Sequence, residues 1–298
     1  MTAPETAAQM TLDETITKTQ DALASRRPPQ PDALLLLATG TGLLPTRLES
    51  AGGLPLAELD GVPQAWVHHY LHWGRIGELC VWMLEDTSDE PSEQSSGAPQ
   101  PAWVEGFPCW LAADAGAKSL ILVAAGSALG AEGREALCPG QLAFLTDHIN
   151  LSGSTPLLGL GNSRLGPMFP DQTLLHDLRL RALARSAAKA LGLDAREAVA
   201  ACTAGPSLDT PAERRFHARA GADVAVQGLA PPLLAAAHAG LRALAVVVVT
   251  DAGDEPVNLT NILAVVQRTA APLEDLLLRI APGVPEATRG HSALEDAP

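Results

Sequence analysis

Lysine is nearly missing from this chain: Lys18, Lys118 and Lys189 are the only three in 298 residues. With 20 Lys and Arg against 34 Asp and Glu the net charge is −14, and no basic run interrupts the acidic balance. Neutralising nucleic-acid phosphates takes clustered Lys and Arg, so no nucleic-acid partner is expected. Cysteine is sparse as well. Cys80, Cys109, Cys138 and Cys202 form no CxxC pair and sit in apolar settings such as LCVWML and FPCWLA, which reads as reduced, buried thiols of a cytoplasmic protein. The N-terminal MTAPETAAQMTLDETITKTQ has no apolar core of the kind a signal peptide needs. The longest apolar run, Ala243 to Val249, is far short of the ~20 residues that span a bilayer. No membrane partner is expected either.

What the chain does have is apolar mass, at 47% hydrophobic residues, enough for a substantial core. Short continuous apolar runs over 33–38, 79–84, 119–123, 141–145, 198–203, 223–226 and 243–250 read as buried strands. Between and after them, helical patterns cover 110–115, 174–191, 211–220, 231–239 and 260–278. Pro211 and Pro231 suit first helical turns, where no backbone donor is missed. This alternation predicts a single-domain α/β fold with a mixed, mainly parallel central sheet flanked by helices. The domain is placed at 31–282, after a loose or helical N-terminal extension (1–30) closed by RRPPQPD and before a polar C-terminal tail (283–298). Within it, residues 85–100 (EDTSDEPSEQSSGAPQ) are acidic and nearly free of apolar side chains; the segment is read as an exposed, mobile loop.

Motifs of several common chemistries are missing. There is no GxxxxGK phosphate loop, no GxSxG elbow and no complete GxGxxG fingerprint. VHHYLHWGR places His68 and His72 at the spacing of helical metal ligands, but no HExxH or converging Cys/His set accompanies them, so no metal is expected. The five Trp residues, all in the N-terminal half, are read as core or subunit contacts.

The segments AAGSALG, CPGQLAFLTDHINLSGSTPLLG, RLGPMFPD, and GPSLDTPAE through VVVVTDAG, in this order, resemble the purine nucleoside phosphorylases of the trimeric type. These are related to methylthioadenosine phosphorylases, and this chain looks like a divergent member. The resemblance covers roughly Ala33 to Ile280. It implies the nucleoside phosphorylase-like fold, a cytoplasmic homotrimer and a purine or nucleoside as small-molecule partner. It also implies phosphorolysis of a purine (deoxy)ribonucleoside to free base and ribose 1-phosphate, as in purine salvage. No cofactor is implied; inorganic phosphate is the co-substrate.

Carried over position by position, Leu208 and Asp209 stand where the family has a base-packing aromatic and a Glu on the purine edge. Asp251 stands where an Asn meets N7. Asp209 and Asp251 are thus the candidate catalytic pair. Donation from Asp251 to N7 requires its protonated form, favoured by burial or by neighbouring Asp254. The methylthioadenosine relatives also carry Asp in a TD pair, which favours 6-aminopurines, although Asp209 does not match them. The alternative is that both acids only cap turns or helix starts, Asp209 lying just before TPAE. For the sugar, Gln227 replaces a packing Met, His69 matches a histidine of the loop over the ribose, and Leu259 takes the place of a ribose-contacting His. His148 in TDHIN matches a structural hydrogen-bonding position.

The phosphate side departs furthest from the pattern. Thr41 of Gly40-Thr41-Gly42 and Ala125 of AAG keep hydroxyl and backbone donors for the anion, with Ala125 also facing substrate, while Gly228 replaces a phosphate-binding Ser. The family's Arg and His fall near Glu85 to Glu90, a stretch without Arg, His or Tyr; Asp86 and Ser88 take their places. A carboxylate in place of a guanidinium turns charge-assisted attraction into repulsion. Arg75 and Arg164 are candidate substitutes. Three readings stay open: an active phosphorylase; a catalytically impaired homologue, or pseudoenzyme, that binds a purine or is structural; and a hydrolase using an acid such as Asp86 as base.

Overall fold

The computed structural model describes residues 10–37, 43–85, 100–130, 135–252 and 257–289. Each of the seven apolar runs overlaps a strand: β1 (Ala33–Leu37), β4 (Leu79–Glu85), β5 (Ser119–Ala128), β6 (Leu142–Asn150), β7 (Ala195–Thr203), β8 (Val224–Gln227) and β9 (Arg242–Ala252). Two further strands, β2 (Glu49–Pro55) and β3 (Tyr70–Ile76), form an antiparallel edge beside β4. The sheet order is β2-β3-β4-β1-β5-β8-β7-β6-β9, and β9 also pairs with β5. The far half therefore closes into a ring of five strands, with parallel pairs β5–β9, β6–β7 and β7–β8 and antiparallel pairs β5–β8 and β6–β9.

The apolar runs are continuous because both faces of each central strand are covered. In β1, Leu34 and Leu36 enter one core cluster while Ala33, Leu35 and Leu37 enter the other. β9 divides in the same way, odd-numbered positions 243–249 on one side and Leu244, Val246 and Val248 on the other. Helices α1 (Leu12–Ala24), α2 (Phe107–Asp114) and α5 (Ala230–His238) contribute to the first cluster, α3 (Leu178–Ala190) and α6 (Leu259–Ile280) to the second. The remaining helices are α4 (Pro211–Arg219) and the short α7 (Val284–Thr288).

The chain ends differ from expectation. A boundary at residue 30 does not separate α1 from the body, because Leu12, Ile16 and Leu23 are buried in the core. Burying such a side chain stabilises by roughly 1.5–3 kcal/mol, and Thr11 with Glu14 forms a capping box that fixes the helix start. Val284, placed in the polar tail, is fully buried in the second cluster. Residues 86–99 of the expected acidic loop lie outside the described residues.

Candidate active site

The C-terminal ends of β5 and β9, with those of β7 and β8, open into one cavity of about 490 Å3, within the ~300–1,000 Å3 usual for small-molecule sites. Leu208, Asp209, Gln227, Gly228, Ala125 and Asp251 all line it. Residues from four separate stretches of sequence thus meet at one place. Trp66 and Leu84 line the cavity as well, and so do Ile262, Leu263 and Val266 of α6. Gly126 of β5 has no room for a side chain: a Cβ there would come within 2.9 Å of the Ala225 carbonyl and of Val226. A register shift between Gly126 and Ser127 then sets Ser127 opposite Asp251 across the β5–β9 ladder.

Asp251 is held by the protein on both oxygens. Its Oδ1 accepts from the Ser127 hydroxyl at 2.8 Å and lies 3.0 Å from the Thr250 hydroxyl, whose single proton it shares with the Gly126 carbonyl at 3.1 Å. Its Oδ2 accepts from the Arg214 guanidinium at 2.8 Å. The ion pair is well shielded, at 7% and 18% side-chain exposure. Arg214 also donates to the Ser127 oxygen at 3.3 Å. Asp251 is thus an ion-paired side chain with protein donors on both oxygens.

Asp209 is held far less. It accepts no hydrogen bond among the described residues, and its nearest ionic partner is His217 Nδ1 at 3.7 Å. Burial raises its pKa above the ordinary 3.8; the charge of Glu213 pushes the same way, and His217 and Arg214 oppose it. Nor does Asp209 cap α4. Thr210 does, accepting from the Glu213 amide while the Glu213 carboxylate accepts from the Thr210 amide.

Both partners come from α4, which sequence reasoning passed over. Arg214 and His217, three apart and on one helical face, are buried, whereas Phe216 is 60% exposed. An ordinary surface helix does the opposite. The signal available was the pair RR and H in PAERRFHAR, directly after the base-edge motif. Ser127, Thr250 and Trp66 were missed too.

Other expectations are corrected. His69 is not among the cavity-lining residues; its ring tilts against Trp66 with centroids 4.7 Å apart, and Trp66 faces the cavity. The helical spacing of His68 and His72 does not apply, because His72 lies in strand β3 opposite Met83. Leu259 starts α6, is 67% exposed and does not line the cavity. Arg75 bonds the Gly77 and Glu78 carbonyls at its own turn, and Arg164 is tied to Asp114 and Thr17; neither lines the cavity. Among the described lining residues none is Arg, Lys or His, while Glu105, Asp209 and Asp251 are acids. Thr41, Asp86, Ser88 and Asp254 lie outside the described residues.

His148 is hydrogen-bonded, as its motif implied: its Nδ1 lies 3.0 Å from Nε2 of buried His176. Desolvation lowers both pKa values, that of His176 to about 4. Asp147, His148 and His176 offer ligand atoms within 4.8 Å of one another, away from the cavity lining.

Comparison with known proteins gives this geometry a context. The family model described as the phosphorylase superfamily matches residues 105–282. Purine nucleoside phosphorylase 1 of Geobacillus stearothermophilus is 29% identical over 260 residues, covering 84% of this chain and 90% of that protein. The Bos taurus purine nucleoside phosphorylase is 27% identical, covering 77% and 78%. Among solved structures, Schistosoma mansoni purine nucleoside phosphorylase in complex with adenosine superposes with a TM-score of 0.78 at 22% identity, over 91% of this chain and 98% of that one.

Proposed function

The chain belongs to the phosphorylase superfamily, and from that premise we propose that it cleaves purine nucleosides with inorganic phosphate, releasing free base and ribose 1-phosphate. The observation that carries this reading is the convergence of Asp209, Asp251, Ala125 and Gly228 on one cavity, added to the likeness to purine nucleoside phosphorylases over most of the chain. A phosphate oxygen bonds to C1′ as the N9–C1′ bond breaks. The bonding pair leaves with the purine, which takes up one proton. Asp209, with open acceptor positions, holds an N–H of the base. Among the described residues that line the cavity none is Arg, Lys or His, so phosphate is met without a guanidinium and held more weakly than with one. A high KM for phosphate follows.

Exposed apolar side chains between β6 and α3, Leu158, Met168, Phe169 and Leu174, support assembly with further copies of the chain; a homotrimer is the proposed state. Four free cysteines support a cytoplasmic setting. Among the described residues no helix is long and apolar enough to cross a membrane.

The test is to incubate adenosine, inosine and methylthioadenosine with the protein, with and without phosphate. Base and sugar 1-phosphate appearing only with phosphate is the expected result. No turnover of any substrate at high enzyme contradicts it, and base release without phosphate would assign the attack to water.

A further inference from the structure

We propose that Asp147, His148 and His176 bind one divalent transition-metal ion of the Zn2+ type, which ties strand β6 to the segment that enters α3. The site lies apart from the residues that line the cavity and does not depend on the function assigned there. Among the described residues this is the only group of three His, Cys, Asp or Glu side chains whose ligand atoms converge, all within 4.8 Å of one another. The histidine-rich string around His68 and His72 contributes nothing to it.

His148 Nδ1 and His176 Nε2 face each other at 3.0 Å. Two imidazoles on a tetrahedral Zn2+, with Zn–N of about 2.0–2.1 Å, hold their nitrogens about 3.3 Å apart, so the rings need to part by only about 0.3 Å. As a hydrogen bond the contact needs one proton between two nitrogens. As a chelate it needs none, and that proton moves to the outer nitrogen of its own ring, which stays neutral. His176 is fixed before any ion arrives. It bridges β9 at Ala243, where the Ala243 amide donates to the Leu175 carbonyl and the Asp177 amide to the Ala243 carbonyl, and Asp177 caps α3. The ring is 7% exposed and its Nδ1 has no partner among the described residues, so its polar contact is directed at His148 alone.

Asp147 and His148 are neighbours on one strand, where successive side chains ordinarily take opposite faces. The β6–β7 register shifts between Leu145 and Asp147, and such an irregularity re-aims side chains. One Asp147 oxygen accepts from the His148 amide at 2.8 Å, which leaves the other for an ion. The charge of nearby Arg181 is offset by Glu197, to which it donates at 2.6 Å. Two imidazoles suit Zn2+, Co2+, Ni2+ or Cu2+, whereas Mg2+ and Ca2+ require more oxygen ligands than one carboxylate gives. Asp147 is exposed and His176 buried, so an ion enters past the carboxylate and water completes its coordination.

The experiment uses the full chain, stripped with a chelator and exchanged into metal-free buffer. Calorimetric titration is expected to show one Zn2+ per chain with a Kd on the order of 1 μM or tighter, undisturbed by excess Mg2+ or Ca2+. Co2+ in its place should give the intense visible bands of a four-coordinate ion. Asp147→Asn, at an exposed position, should weaken Zn2+ by about tenfold or more, and His176→Phe should remove both the binding and the Co2+ bands. Zn2+ at about a hundredfold over Kd should raise the melting temperature of the wild type by about 3 °C or more and leave that of His176→Phe unmoved. Asp147→Asn decides the matter where His176→Phe does not fold. Binding only above about 100 μM, which marks an adventitious ion only, a six-coordinate Co2+ spectrum, or affinity unchanged in the variants would each overturn the proposal.

Discussion

Asp251 and Asp209 carry the same functional group into the same cavity, yet the protein treats them in opposite ways. Asp251 is tied to a buried guanidinium and two hydroxyls; Asp209 has only a histidine nitrogen 3.7 Å away. The first is held in place before any ligand arrives. The second still has the acceptor capacity that a ligand must fill, at the cost of partial desolvation that raises its pKa. The contrast separates a carboxylate occupied by protein donors from one left open toward the cavity.

The two acids should therefore fail differently when removed. Asp251→Ala removes the carboxylate bonded to the buried Arg214 guanidinium. A loss of about 3–5 kcal/mol in unfolding free energy is expected, as for other broken buried ion pairs, measured by chemical denaturation. A change under 1 kcal/mol would mean that the pair is solvated and the contrast false. Asp209→Ala removes no internal hydrogen bond, so stability should hold while kcat/KM falls by about 10- to 150-fold, the ~1.5–3 kcal/mol of a charged hydrogen bond to substrate. Equal losses of stability in both variants would erase the distinction.

The smallest effect is in pH. Because the pKa of Asp209 is raised, its carboxylate form exists above that value and is lost as pH falls through it, at a higher pH than for an ordinary Asp of 3.8. Burial is the main cause of this position, with the charges of His217, Glu213 and Arg214 adjusting it. Nucleoside affinity should decline by at most about tenfold per pH unit below it. Asp209→Asn should lack the limb, and comparing the two proteins cancels the titration of the nucleoside itself. A limb of unchanged position in Asp209→Asn would assign it to another group.

How much of this was legible in the sequence depends on how each element is buried. β1 and β9 are covered on both faces, so their runs are apolar without interruption and mark themselves. β2 could not be read that way, since ESAGGLP has one buried residue and two glycines at a sheet edge. β3 hid behind a histidine-rich string that resembled a helical ligand pattern. α1 was set apart because the Pro-rich segment after it looked like a boundary, yet a proline run ends a helix without detaching it from the core. In the site, Asp209 and Asp251 were reachable through the motifs that surround them. Arg214 and His217 were not, because Arg and His are mostly found at the surface, and only the three-dimensional path of α4 shows that they face inward.

The central claim of the proposed function is that Asp209 takes the base while Asp251 stays bound to Arg214. A crystal structure with adenosine bound in the absence of phosphate tests it most directly. The account predicts a base nitrogen that bears hydrogen at about 2.7–3.2 Å from a carboxylate oxygen of Asp209, with the Arg214–Asp251 pair intact. Adenosine bound with Asp209 out of hydrogen-bond reach of its base, or with the ion pair broken to admit it, would contradict the account.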